Sequence, residues 1–383
     1  MKVFLIAGEP SGDKLGAALM AGLKRLRPDV MFQGVGGPLM QAQGLVSQFP
    51  MDELSVMGLA EVLPKYRHLK RRIREVADAV IAARPDVLIT IDSPDFCLRV
   101  ARLVKEAGST RTVHYVAPTV WAWRPKRAAK MARVIDHVLA LFPFEPPLMQ
   151  AVGMRCDFVG HPVVADPVAS ADEVAAFRKA HAIDGPLILA LPGSRRGEVS
   201  RLASRFGAAL AHLIKAHPDA RVVLPCAGPV ESLVRELTND WPVQPLLISA
   251  ADTTDKRAAF AAADVALAAS GTVSLELAAA ATPMVIAYDM NWLSRIMISR
   301  MLLVDTVTLV NLVSDTRVVP EFIGQDCQPA PIGAALLDVL ANPDAQNAAM
   351  ALTMERLGQG GEAPGLRAAR AVLNGCGESD AGP

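Results

Sequence analysis

The chain has 383 residues, a length that suits two or three domains. Its 39 basic and 39 acidic side chains cancel to a formal net charge of zero, which argues against a nucleic-acid binder. Hydrophobic residues make up 51%, so large cores are readily filled, and the mean hydropathy of +0.28 points to lipid contact or a large subunit interface.

The opening run MKVFLIAGEP has an apolar core too short for a signal peptide and predicts a strand over Val3–Ile6. That strand enters GEPSGD (8–13). Three residues separate Gly8 from Gly12, and Asp13 follows, so neither the dinucleotide fingerprint nor the nucleotide-triphosphate loop is met. Ser11 suits a helix N-cap and Asp13 the first helical turn. Further strands are expected at Val30–Val35, Val87–Ile91, Thr112–Val116 and Val138–Leu141, with a long helix through Leu63–Ala83. After the third strand, Ser93 and Pro94 make a helix start: a cap, then proline at the first helical position. Asp95 falls in the first turn, where it complements the helix dipole. Asp92 stands before the cap, pointing into the crevice, and serves either as a general base or as a structural acid. Trp121, Trp123, Arg124, Lys126, Arg127 and Lys130 form an aromatic and basic strip. It suits an anionic lipid surface or a phosphate, or equally a buried Trp pair ahead of a solvated helix.

A polar connector, ADPVASADEV, leads into a second series of strands at Leu187–Leu191, Arg221–Leu224, Pro245–Ile248, Val265–Ala268 and Met284–Ala287. Strand–helix–strand order implies parallel sheets, hence an α/β chain of two doubly wound, Rossmann-like domains facing a cleft. The expected domains are 1–164, 165–345 and a helical tail, 346–383. The tail packs on its own domain, crosses back to the first, or exchanges with a partner chain.

Two turns in the second half suit phosphate. Leu187–Leu191 runs into Pro192-Gly193-Ser194-Arg195, where Ser194 is the expected cap and Glu198 lies in the first turn. Free N–H groups and a guanidinium there match a diphosphate. The second turn is Ser270-Gly271-Thr272, with Glu276 one helical turn on, placed to accept from ribose hydroxyls. The segment Trp292–Leu303 is apolar almost all round and reads as a buried, interface or membrane-contacting helix; no stretch reads as a membrane span. The five cysteines are scattered without C-x-x-C, which suits a reduced compartment, and no histidines share metal-ligand spacing. Neither a metal nor a cofactor is expected.

Nine stretches resemble, in order, one family: GEPSGD, GVGGPLM (34–40), MGLAEVLP (57–64), IDSPDF (91–96), HYVAPTVWAWRPKR (114–127), FPFE (142–145), VGHP (159–162), LPGSRRGEV (191–199) and ASGTVSLE (269–276). They are similar to lipid-A-disaccharide synthases, and the similarity extends to about Asn311. The resemblance implies a GT-B glycosyltransferase, peripheral on the cytoplasmic face of the inner membrane. Its reaction would join UDP-2,3-diacylglucosamine to 2,3-diacylglucosamine 1-phosphate, giving the β-1,6-linked disaccharide 1-phosphate and UDP. It further implies Asp92 as base, and roles for Arg195 and Asn311. The family pattern leads one to expect a proline where Val310 stands. On that basis the UDP site is expected at Gly193, Ser194, Arg195, Ser270, Gly271, Thr272, Glu276 and Asn311. Acceptor contacts are expected at Glu9, Ser11 and Gly12, and acyl or membrane contacts at Met57, Leu59, Val62, Trp121, Trp123 and Arg124. The expected partners are the two acylated sugars, a lipid surface and a second copy of the chain. Two other readings stay open: a GT-B transferase or epimerase acting on a soluble UDP-sugar, and a non-enzymatic nucleotide-sugar binding module.

Overall fold

The runs VLITI and LILAL, apolar but for Thr90, lie at the middle of two parallel sheets, buried along their full length. A strand covered by helices on both faces needs no polar alternation, which is why these segments read as nearly continuous apolar runs. The computed structural model describes residues 1–54, 59–290 and 301–377, with backbone alone for 59–65. Among these, two compact units are formed, one from 1–165 together with the chain from 357 onward, the other from 166–356.

The first unit holds β1 (Lys2–Ala7), β2 (Met31–Val35), β3 (Val87–Ile91), β4 (Arg111–Tyr115), β5 (His137–Ala140) and β6 (Arg155–Phe158), in the order β2-β1-β3-β4-β5-β6. The second holds β7 (Leu187–Leu191), β8 (Arg221–Pro225), β9 (Leu246–Ile248), β10 (Val265–Ala268), β11 (Met284–Tyr288) and β12 (Glu321–Ile323), in the order β12-β11-β10-β7-β8-β9. In each sheet the chain winds outward one way, returns to the middle, and winds outward the other way. The direction reverses between β1 and β3, and again between β7 and β10. Strands β6 and β12 were not expected: both are short edge strands, RCDF and EFI, and mostly half-buried. The long helix spans Leu59–Ala83, four residues more than expected at its start.

The tail divides differently from the expected boundary at 345. The Asp344–Arg356 helix belongs to the second unit. Gln346 exchanges two hydrogen bonds with the Met284 backbone, at 2.8 and 3.0 Å, and Arg356 donates to the Val313 carbonyl at 2.7 Å. The Pro364–Gly377 helix returns to the first unit and lies along the Pro10–Leu26 helix. Arg367 fastens it by donating to the Phe158 carbonyl at 3.0 Å, its guanidinium 4.9 Å from the Phe158 ring centre. Two glycines allow the helices to touch through their backbones. A methyl group at Gly365 would lie 2.5 Å from the Ala18 carbonyl oxygen, and one at Gly22 would lie 2.6 Å from the Gly365 carbonyl. Backbone cannot swing aside as a side chain can, so a larger residue must separate the helices. Gly365→Val is therefore expected to destabilise the first unit by about 1–3 kcal/mol. Urea unfolding followed by protease resistance of that unit checks this, and an unchanged midpoint would remove the close packing as its explanation.

Candidate active site

In open parallel sheets, ligands bind beyond the carboxyl ends of the strands at the point where winding reverses, because flanking loops diverge there to opposite faces. In the second unit those ends are β7 and β10. The turns that follow them, Gly193-Ser194-Arg195 and Ser270-Gly271-Thr272, line one cavity of about 410 Å³ together with Glu276. That volume lies in the range of nucleotide and small-molecule sites. Gly271 has φ +142°, and a methyl group there would meet nothing within 4 Å, so the backbone itself faces the cavity. Glu276 is half-exposed, with the Lys256 ammonium 3.7 Å from its carboxylate.

The helix start differs from expectation. The N-cap is Arg195, with extended backbone, and the helix is Arg196–Ala216. Ser194 is displaced from that place because Glu198 reaches back, accepting from the Ser194 and Arg195 N–H groups at 3.3 and 3.4 Å. The Arg195 guanidinium donates to the other Glu198 oxygen at 3.1 Å. Asn311, in the Leu309–Ser314 helix, does not line the cavity. It is buried, its amide nitrogen donating to the Thr306 hydroxyl at 3.3 Å and the Val319 carbonyl at 2.9 Å, while its oxygen accepts from the Val319 N–H at 3.0 Å. Val310, where a proline was expected, is fully buried, and its carbonyl accepts from the Ser314 hydroxyl at 2.7 Å.

In the first unit the reversal lies between β1 and β3. GEPSGD follows β1 and IDSPD follows β3, and the two turns touch: a methyl group at Gly8 would lie 2.8 Å from the Ser93 hydroxyl. The helix after β1 begins at Pro10, with Glu9 as its cap, so Ser11 lies inside the first turn and is exposed. Pro10 at the first helical position moves the cap two residues forward. Asp13 does more than complement a dipole. It is buried, and its carboxylate accepts from the N–H groups of Gly37, Leu39 and Met40 at 2.9, 2.9 and 3.0 Å, capping the Pro38–Ala42 helix after β2.

Around β3 and β4 the backbone is strained. Asp92, Ser93 and Val116 have φ of +52°, +43° and +86°. For a branched residue such as Val116 this region is a true outlier, and such conformations gather at functional sites because surrounding structure must hold them. Asp92 is half-buried at the end of β3, its N–H donating to the Tyr115 carbonyl at 3.0 Å; Asp95 is exposed. Ser93 is the N-cap, as expected, yet in left-handed conformation and without a side-chain cap bond.

Trp121 packs edge-on to Phe144, ring centres 5.4 Å apart, and Phe144 stacks on Phe142 at the same separation. The Trp123 indole donates to Thr119 at 3.0 Å, and the Arg124 guanidinium lies 4.3 Å over its ring. Met57 lies outside the described residues, as do the side chains of Leu59 and Val62 and the segment 291–300. Glu145, last residue of FPFE, was not singled out by the sequence. It is buried, and accepts from the Leu141 and Phe142 N–H groups at 3.0 Å each, folding the turn after β5.

Two doubly wound six-stranded parallel sheets, one with a cavity between glycine turns at its reversal, define a fold of the GT-B class. Solved structures agree on the fold. A putative UDP-N-acetylglucosamine 2-epimerase from Listeria monocytogenes has a TM-score of 0.64 at 14% identity, covering 100% of this chain and 97% of its own. The UDP-GlcNAc 2-epimerase from Neisseria meningitidis bound to UDP-GlcNAc has a TM-score of 0.63 at 11% identity, covering 99% and 100%. The family profile described as lipid-A-disaccharide synthetase matches residues 3–371. A lipid-A-disaccharide synthase from Ruegeria pomeroyi is 65% identical over 381 residues, covering 98% of this chain and 95% of that relative. The chain belongs to the lipid-A-disaccharide synthetase family and is a glycosyltransferase.

Burial raises the Glu145 carboxyl from 4.5 to about 7, against the pull of the Phe142 and Leu141 N–H groups and the Trp121 indole. The folded state therefore binds a proton more tightly than the unfolded chain. Stability linked to this group is present below about pH 4.5 and is lost as pH rises through about 7. Against wild type, Glu145→Gln should gain on the order of 3 kcal/mol between those limits. Chemical unfolding at several pH values checks this; a difference independent of pH would overturn it.

Proposed function

We propose that the chain transfers 2,3-diacylglucosamine from its UDP donor to the 6-hydroxyl of 2,3-diacylglucosamine 1-phosphate, by one inverting displacement. The observation that carries the donor half is the convergence of the Gly193–Arg195 and Ser270–Thr272 turns on one cavity at the β7/β10 reversal. The donor's diphosphate lies against these two turns. Their N–H groups and the Arg195 guanidinium take up the charge that develops on departing UDP. Glu276, one helical turn beyond Thr272, accepts from the ribose hydroxyls. Asn311 supports the site at one remove, tying the Thr306 loop to Val319.

In the first unit Asp92 is the general base. Its strained position at the end of β3 fixes the carboxylate that takes the proton from the acceptor's 6-hydroxyl as that oxygen attacks the anomeric carbon. Glu9, Ser11 and Gly12 face the acceptor's sugar and 1-phosphate. The substrates carry the argument for the membrane. Each buried methylene is worth about 0.8 kcal/mol, so acylated sugars stay in the lipid surface and the enzyme works there, on the cytoplasmic face. Met57, Leu59, Val62, Trp121, Trp123 and Arg124 are our candidates for that contact. Among the described residues no helix is long and apolar enough to cross a membrane.

The test is UDP release from UDP-2,3-diacylglucosamine, with and without acceptor, in mild detergent and EDTA. Acceptor-dependent release that persists in EDTA is expected. Asp92→Asn should lower kcat about 10²- to 10⁴-fold with UDP binding retained. Arg195→Ala should lower kcat/KM about 10- to 100-fold. Release without acceptor would replace transfer by hydrolysis, and binding of UDP with no turnover would reduce the protein to a binding module.

A further inference from the structure

The three hydrogen-bond donors best placed to receive a diphosphate are already bonded to a carboxylate. Glu198 lines the donor cavity and is only 8% exposed. One of its oxygens accepts from the N–H groups of Ser194 and Arg195 at 3.3 and 3.4 Å, and the other from the Arg195 guanidinium at 3.1 Å. The two backbone bonds are long, just beyond the usual range for N–H to oxygen, and so weak. Gly193 is shaped around the same group. It has φ +114°, and a methyl group there would lie 2.6 Å from the Glu198 carboxylate oxygen. The turn thus holds an anion of its own against the donors of an anion-binding helix start.

We propose that Glu198 is a positioning residue that competes with the nucleoside diphosphate for these three donors. This rests on the donor-site reading above. When the diphosphate of the donor or of product UDP enters, it takes the Arg195 guanidinium and the two N–H groups, and Glu198 gives them up. When the sugar has been transferred, the carboxylate returns to the same donors and speeds the departure of UDP. Without such a competitor, a helix N-terminus and a guanidinium would hold the released diphosphate strongly.

The competition is read in the full-length protein by titrating UDP and uridine into wild type and Glu198→Gln, with UDP product inhibition measured alongside. The amide keeps an acceptor for the turn and loses the charge. UDP is expected to bind about three- to tenfold more tightly and to inhibit more strongly in proportion, while uridine, which has no phosphate, binds unchanged. In an Arg195→Ala background the gain should shrink, since the contested guanidinium is gone. A merely structural cap would predict the reverse, weaker UDP binding. Glu198→Ala, also uncharged, should shift UDP binding in the same direction and serves if the amide variant does not fold. Unchanged or weaker UDP binding in both variants overturns the proposal while leaving the donor site standing. If wild type itself does not bind UDP, both fall together.

Discussion

Everything functional in this chain depends on one topological constraint. A parallel strand must be followed by a crossover before the next, and crossovers of a single hand carry the chain one way along a sheet. To build a sheet on both sides of its first strand the chain has to return to the middle. At that place, between β1 and β3 and again between β7 and β10, neighbouring strands send their following helices to opposite faces. The backbone at their carboxyl ends is left uncovered, with helix N–H groups pointing into the gap. Glycine at 193 and 271, and non-glycine strain at 92 and 93, are what it takes to turn the chain there.

A second device recurs at these edges. Buried carboxylates hold the turns by accepting from their backbone N–H groups: Asp13 for the turn after β2, Glu145 after β5, Glu198 after β7. Glu321 does the same for the 306–308 loop, accepting from the Thr306 hydroxyl at 2.7 Å and from the Val307 and Thr308 N–H groups at 3.0 and 2.5 Å. An acid that satisfies several otherwise orphaned donors fixes a loop more firmly than a dipole interaction alone. Of these four acids, Glu198 lines the cavity after β7.

How much of this was legible follows from the range of the forces involved. Ten strands were readable, the innermost because burial on both faces demands nearly uninterrupted apolar residues. β6 and β12 escaped because an edge strand carries Arg155, Asp157 and Glu321 without penalty. The helix starts after β1 and β7 were readable to within two residues, since a proline at position 10 or a competing acid at 198 moves the cap. The reach of Asp13 to Gly37 was not legible, because nothing local records a bond across 24 residues. The cavity residues 193–195 and 270–276 were, since each is a strand, a small-residue turn and a helix in immediate succession. Asn311 fell outside the cavity for the opposite reason: its partners, Thr306 and Val319, belong to loops with no periodic signal. Eight of the nine family stretches turn out to lie at the carboxyl ends of strands, so the resemblance was a reading of the rim rather than of the core.

The return of the Pro364–Gly377 helix to the first unit makes that unit discontinuous in the chain. During synthesis its six strands emerge first, yet the helix that covers the Pro10–Leu26 helix leaves the ribosome only after the whole of 166–356. The second unit can therefore complete its fold while the first still exposes the small-residue face around Ala18 and Gly22. A fragment ending at 165 lacks part of its own core, whereas one spanning 166–356 does not. Any separation of the two halves for study has to carry residues 357–377 with the first.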